Sequence, residues 1–438
     1  MTKNRFAFKT SLLALLRVAN AGLNLLVLIV LARALGSTGV GVYAYLVILL
    51  TVLLIPLTSG AHTLVLKLTA EATANDKWGD VRGALQASAA CAVACACLLG
   101  IALASGLSVA GWLPEIAGTE LFVILTLILV FDGLSAIRSG FLRGLDRPLL
   151  AQLPELLFRP AVLLACFGAL VASSGDSVEI VAALHALVAA SLAAFAVGLW
   201  IACRHLPGEL LSSRAKYRRT WISGSASFAS KGGIAVVNNY VDILLLGALL
   251  ASSADVGIYR VAAQIAVVGG IVYVSINALV SQTFAVNLAK RDMNAVSHAA
   301  RQSARLAFLA SLPLPIIMLV FGEPLISLVF GAEFAAAAPI AVILLVGQMI
   351  NSGFGTAASL LTVSDRGWTV TRWFAYGTLA NVAACCVLIP VWGMMGAATA
   401  NVAAGLLFNL AIWTVARTEL GIDTSILGRD SVRGESEA

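Results

Sequence analysis

Residues 11–34 read SLLALLRVANAGLNLLVLIVLARA, an almost unbroken apolar run. A helix of that length extends about 36 Å, more than the roughly 30 Å of a bilayer's hydrocarbon core. Lys3, Arg5 and Lys9 ahead of it give the look of a secretory leader. The apolar run is too long for one, and no small-x-small cleavage site follows it, so it is expected to be a retained spanning helix. Its polar residues are ordered: Thr10, Arg17, Asn20 and Asn24 are separated by steps of seven, three and four, which return to nearly the same helical angle. A charge at membrane depth costs at least about 2.5–3.5 kcal/mol on insertion scales, so this stripe is expected to face a wet interior rather than lipid.

The same reading extends to the whole chain. Of 438 residues 60% are hydrophobic and 11% charged, with a mean hydropathy of +0.96, whereas soluble domains carry about 25% charged residues. Turn-forming or charged clusters break the apolar runs into about twelve segments, near 11–34, 41–66, 84–111, 120–142, 149–172, 178–202, 221–250, 257–285, 303–330, 338–362, 373–391 and 397–416. Spanning strands would be shorter and alternating, so the fold class is all-α membrane protein.

Alternate loops sort by charge. One set holds Lys67, Lys77 and Arg82; Arg143 and Arg147; Arg204 and the cluster Arg214 to Arg219; Lys290, Arg291 and Arg301; Arg366 and Arg372. The other set contains no Lys or Arg. That segregation predicts an even number of spans with both termini cytoplasmic in a plasma membrane. The net charge of +6 then faces anionic headgroups, so membrane lipids are the expected partners and nucleic acid is not. The seven cysteines lie mostly in apolar runs without metal-ligand spacing, and are expected to pack as small hydrophobes, with no metal.

An internal repeat divides the chain. Gly41-Val-Tyr43 recurs as Gly257-Ile-Tyr259, and the same offset of 216 residues pairs Leu28 with Leu244, Ser59 with Ser275 and Gln86 with Gln302. It carries helix onto helix and basic loop onto basic loop. The expected organisation is therefore a six-helix bundle with its linking loop over 1–216, a second over 217–416, and a disordered cytoplasmic tail over 417–438. Halves displaced by an even number of spans are related by a pseudo-two-fold axis along the membrane normal.

The seventh segment places Ser227, Lys231, Asn238 and Asp242 on one face, and the second aligns Thr51, Thr58 and His62. The eighth carries Arg260, Gln264 and Gln282, and Asp132 lies in the fourth. Arg260 lies near the outer end of its segment, where it also has the option of snorkelling. Glu155 and Arg159, at i and i+4 between Pro154 and Pro160, are expected to neutralise one another beside a proline kink.

Several motifs resemble the oligosaccharide-lipid flippases, the O-antigen and polysaccharide biosynthesis exporters, of the MATE-like multidrug/oligosaccharidyl-lipid/polysaccharide exporter superfamily. They are Leu31-Ala-Arg-Ala-Leu-Gly36 with Gly41-Val-Tyr43, Val241-Asp242 through Gly247 with Ala254 through Arg260, Phe330-Gly-Ala-Glu-Phe334, and Gly393-Met-Met-Gly-Ala-Ala398. The resemblance implies a non-enzymatic carrier of undecaprenyl-pyrophosphate-linked oligosaccharide from the cytoplasmic to the periplasmic leaflet of the bacterial inner membrane. It also implies alternating access and a cationic cleft, with other polysaccharide assembly proteins as further partners. Arg17, Lys231 and Arg260 would then meet phosphate, and Asn20, Asn24, Asn238, Asn239 and Gln264 the sugar. Asp242 or Asp132 would serve coupling to H⁺ or Na⁺, with no other cofactor.

Two alternatives are set against this reading. A multidrug-type antiporter of the same architecture would favour an acidic lining rather than cations. A membrane glycosyl polymerase or ligase would need positioned acids, bases or a metal, usually on a large outer loop, and the outer loops here are short.

Overall fold

The computed structural model describes residues 3–110, 118–174, 178–218, 220–250 and 252–428; some further side chains, Lys231 among them, stand outside the description. Every long element is a helix, because a backbone without water must satisfy its own N–H and C=O groups. Among the described residues ten helices are long and apolar enough to cross a membrane. Two of them are pairs joined end to end, α1 (Lys3–Leu53) at Gly36 with φ 66° and α15 (Gly367–Leu420) at Gly393 with φ 56°. Only glycine enters that left-handed region without a steric penalty, which explains why both turns coincide with glycine motifs. Resolving each pair gives the twelve segments expected.

Residue contacts divide the chain into Met1–Asn239 and Tyr240–Ala438. The boundary falls inside helix α9 (Thr220–Leu250), later than the loop at 216 where the repeat placed it. The reason lies in the first half of α9, which packs within the first unit. A Cβ on Gly60 would meet Ser225 O at 2.8 Å, and one on Gly232 would meet Ser59 Oγ at 2.5 Å.

The first unit continues from α1 through a π-helical turn, π1 (Pro56–Ala61), into α2 (His62–Asn75), then α3 (Trp78–Ala110) and α4 (Gly118–Gly144). Next come α5 (Pro148–Leu153), a second π turn, π2 (Pro154–Phe158), α6 (Arg159–Ser174), α7 (Ile180–Cys203) and the short α8 (Gly208–Ser212). Helix α4 is central, packed on α2, α3 and α7. In the second unit α10 (Ser253–Ala289) packs on α11 (Met293–Ser311) and α13 (Ala337–Phe354). Helix α13 also meets α12 (Pro313–Val329) and α15, and α14 (Ala357–Val363) lies on α15.

Large apolar side chains such as Leu98, Leu319, Leu328 and Val391 are about 70% exposed, as helices apolar on all sides must be where lipid is the solvent. The same solvent explains a difference from expectation among the cysteines: only Cys385 is buried, and Cys91, Cys203 and Cys386 are exposed. A thiol is apolar enough to face acyl chains.

The chain after α15 also differs from expectation. Residues 421–428 fold back onto the second unit instead of forming part of a disordered tail. Ile422 joins Phe284, Val296, Ala300 and Leu360 in a core cluster. Thr424 donates to Phe354 O at 2.9 Å, and Ile426 N–H donates to Gly353 O at 3.0 Å. These bonds satisfy carbonyls that the end of α13 leaves open. Residues 429–438 lie outside the described ones.

Candidate functional site

Three glycines of α4 let it approach π1 and α2 closely. Cβ atoms added at Gly133, Gly140 and Gly144 would fall 2.8 Å from Leu57 Cδ1, 2.4 Å from His62 O and 2.5 Å from Thr69 Cβ. That contact fixes the angular position of α4. It turns Asp132, Ser135, Ser139 and Arg143, at steps of three, four and four, towards one space. Opposite stand Thr51, Thr58, Ser59, His62 and Thr63 from α1, π1 and α2, with Gln152, Glu155 and Arg159 from α5, π2 and α6. Phe228 and Gly232 of α9 complete a cavity of about 770 Å³ inside the first unit. The wide turns π1 and π2 both begin at a proline, which cannot donate to the helical ladder and so favours such a break.

Charge in the cavity is partly paired across helices. Arg159 donates to Asp132 at 2.9 Å. Glu155 accepts from Arg138 of α4, not from Arg159 as its i, i+4 spacing suggested, because cross-helix partners lie closer. Arg138 is buried to 5% exposure. Gly198 of α7 makes room for it, since a Cβ there would lie 2.4 Å from the guanidinium carbon. Burial of a guanidinium demands a partner, and Glu155 supplies it. Sequence reasoning overlooked Arg138, although an arginine inside the fourth predicted segment, a turn before its end, was the available signal. Among the described residues Arg143 is the charged group of this cavity with no ion pair or hydrogen bond, and its Nε is buried without a partner there.

Among the residues that the sequence marked out, Asp132 lines this cavity, as do Thr51, Thr58 and His62. The His62 Nδ1–H donates to Ala136 O at 2.9 Å. Arg17 is exposed and sits close enough to Arg143 for their charges to act on one another. Asn20 donates to Leu156 O at 2.7 Å and Asn24 to Asn20 O at 2.8 Å, so both amide nitrogens are engaged with backbone, while among the described residues no donor reaches their side-chain oxygens. Lys231 is on α9 with its side chain outside the described ones; Asn238 is partly buried and Asn239 exposed.

The second unit gathers another set. Asp242 is buried, accepting from the Tyr259 hydroxyl at 2.6 Å, Ile243 N–H at 2.9 Å and Asn401 Nδ2 at 3.3 Å. Arg260 is near enough to act on it electrostatically, and Gln264 is buried a turn further along α10. The motifs around Asp242 and Tyr259 are thus the two sides of one hydrogen-bonded cluster.

A model of the family described as polysaccharide biosynthesis protein matches residues 6–282. No curated protein matches the chain. Solved structures do. An inward-facing multidrug resistance MATE family transporter of the MOP superfamily is 12% identical, with a TM-score of 0.73 over 93% of this chain and 98% of its own. The lipid II flippase MurJ, inward closed, is 12% identical, with a TM-score of 0.70 over 92% of this chain and 87% of its own. A MOP superfamily transporter from Pyrococcus furiosus, whose binding pocket is described as of reverse polarity, gives 13% and 0.64 over 94% and 95%. At these identities the likeness establishes a MATE-like fold.

Proposed function

The chain belongs to the polysaccharide biosynthesis protein family, and on that premise we propose that it is a flippase for an undecaprenyl-pyrophosphate-linked oligosaccharide. It carries this lipid from the cytoplasmic to the periplasmic leaflet of the bacterial inner membrane by alternating access, for O-antigen or related polysaccharide assembly. Both termini are cytoplasmic, and the activity is transport rather than bond-making. The observation that carries this reading is the cavity in the family-matched part of the chain. Hydroxyls and amides suited to a saccharide line it, and its two carboxylates are each held by an arginine while Arg143 remains over. Arg17, Lys231 and Arg260 are the further cations proposed to meet the pyrophosphate. The open acceptors of Asn20 and Asn24, with Asn238, Asn239 and Gln264, are proposed to meet sugar hydroxyls.

Coupling to H⁺ or Na⁺ is assigned to Asp242 in preference to Asp132, whose charge already balances Arg159. The lining arginines Arg143 and Arg159 match the two lining carboxylates, and Arg138 behind Glu155 makes the set positive; cationic cargo favours an acidic lining instead, which argues against the multidrug alternative. Deletion of the gene tests the proposal. Loss of surface glycan with accumulation of its lipid-linked precursor, reversed by the intact gene, supports it. Normal glycan with new drug sensitivity would point to the antiporter.

A further inference from the structure

The span predicted over 338–362 is broken. Helix α13 stops at Phe354, Gly355 takes φ 76°, and α14 resumes at Ala357. Such a break leaves carbonyls without helical partners, and within a membrane each must find a donor elsewhere. Gly355 O accepts from the Tyr273 hydroxyl of α10 at 3.2 Å. Gly353 O and Phe354 O accept from Ile426 N–H and the Thr424 hydroxyl. Two of these three donors therefore belong to residues 421–428. Thr424 is fully buried, and a Cβ on Gly355 would lie 2.2 Å from its carbonyl oxygen, so nothing larger than glycine fits where strap and break meet. Trp413 closes the joint: its indole donates to Asp423 and its ring meets Phe354 edge-on at 6.3 Å.

The strap is also repeated. The 216-residue offset that relates the halves carries α8 (Gly208–Ser212) onto Thr424–Gly428, so the duplication extends past the sixth span of each half. In the first unit Arg82 of α3 donates to Leu211 O and Ser213 O. In the second, Arg305 donates to Ile426 O at 3.5 Å from α11, the helix onto which the offset carries the start of α3. An arginine of the corresponding helix thus holds the returning chain in both units, which marks 421–428 as a built element rather than a loose end.

We propose that residues 421–428 are a clasp, the second copy of one carried by each half, whose docking fixes the angle between α13 and α14. The clasp reaches α10 as well, because Tyr273 holds the break and Asn277, a turn further on, accepts from Ser359 of α14 at 2.7 Å. Helix α10 also carries Tyr259, Arg260 and Gln264, so the clasp and the polar cluster around Asp242 meet on one helix. None of this depends on what the protein transports. Once the strap undocks, the carbonyls of Gly353 and Phe354 lose their donors, so strap and break open as one local unit, separately from global unfolding.

Hydrogen exchange of the purified full chain in detergent, read by mass spectrometry, tests this. Thr424→Val removes the donor at nearly constant volume. Exchange over residues 353–360 and over 421–428 is expected to rise together by about fivefold or more, as an unsatisfied buried carbonyl implies. Helix α4 serves as the internal reference and should be unchanged. Thr424→Ser keeps the hydroxyl and should behave as the unaltered protein. Deletion of residues 422–438 should loosen 353–360 further. A break that keeps its full protection in Thr424→Val or in the deleted chain would overturn the clasp. So would a rise spread evenly over the whole chain, because the segment would then be ordinary core packing, and so would equal loosening in Thr424→Ser, because the hydroxyl would then hold nothing.

Discussion

Arg159 at the start of α6 reaches across to Asp132 on α4, 2.9 Å away, and leaves its own helical neighbour Glu155 to Arg138. The two pairs bind α4 to π2 and to the start of α6. Because the Arg159 and Asp132 side chains are only 26% and 19% exposed, removing one partner leaves the other charge in a poorly solvated place. Asp132→Asn and Arg159→Gln are each expected to destabilise the protein by about 1–3 kcal/mol. The double variant should cost clearly less than the sum. Thermal unfolding of the purified variants checks this, and simple additivity would show that the pair contributes nothing.

The segment 213–218 lies along the start of α3. Lys216 N–H donates to Gly79 O at 2.9 Å, Arg82 holds the carbonyls of Leu211 and Ser213, and Arg218 grips Asp80. A Cβ on Gly83 would come within 1.8 Å of the Lys216 carbonyl oxygen, and backbone cannot yield as a side-chain tip does. Gly83→Ala should therefore lift this segment, even though alanine favours helix by up to about 1 kcal/mol. Limited trypsin digestion reads the outcome: faster cleavage after Arg214, Lys216 and Arg218 is expected. An unchanged digestion rate would mean that the segment is held elsewhere.

Much of the fold was legible because lipid solubility is written locally. Apolar runs gave the spans, and glycines in short motifs marked the turns at Gly36 and Gly393. The Thr51, Thr58 and His62 face was legible through its spacing, even though π1 interrupts that helix. The ion pairs were not legible. Spacing along one helix suggested Glu155 with Arg159, whereas the partners come from α4, and no local pattern states which helices touch. Residues 421–428 were misread for a similar reason: a short polar segment looks disordered unless the open carbonyls of α13 that receive it are known.

Asp423 anchors that returning segment. Burial alone would raise its pKa, but hydrogen bonds from the Trp413 indole and from the Ser425 backbone and hydroxyl, with the charge of Arg417, hold it below the ordinary value. A depressed carboxylate stabilises the fold above its unfolded pKa, near about 3.9, and that stabilisation is lost as pH falls through the folded value. Hydrogen exchange over residues 421–428 should accordingly be steady from neutral pH down to about pH 5, once corrected for intrinsic rates, with protection lost only below about 4. In Asp423→Asn the protection should be weaker at neutral pH and should no longer fall as the pH drops towards about 4. Loss of protection already near pH 6 in the unaltered protein would contradict the assignment.

Asp242→Asn tests the coupling assignment. The amide retains the hydrogen bond from Tyr259 in approximate form but carries no charge to exchange for an ion. Transport by this variant is expected to lose its response to an imposed H⁺ or Na⁺ gradient while the protein still folds, as judged by thermal unfolding. A full gradient response would move coupling elsewhere.

The central claim is tested most directly in proteoliposomes holding the purified chain and a fluorescent isoprenyl-diphosphate-linked oligosaccharide, with movement between leaflets read by access of a membrane-impermeant quencher. The account predicts translocation well above protein-free vesicles, and a rate reduced about tenfold or more in Arg17→Ala as a phosphate contact is lost. Translocation no faster than in protein-free vesicles, by a chain that is folded and correctly inserted, would contradict it.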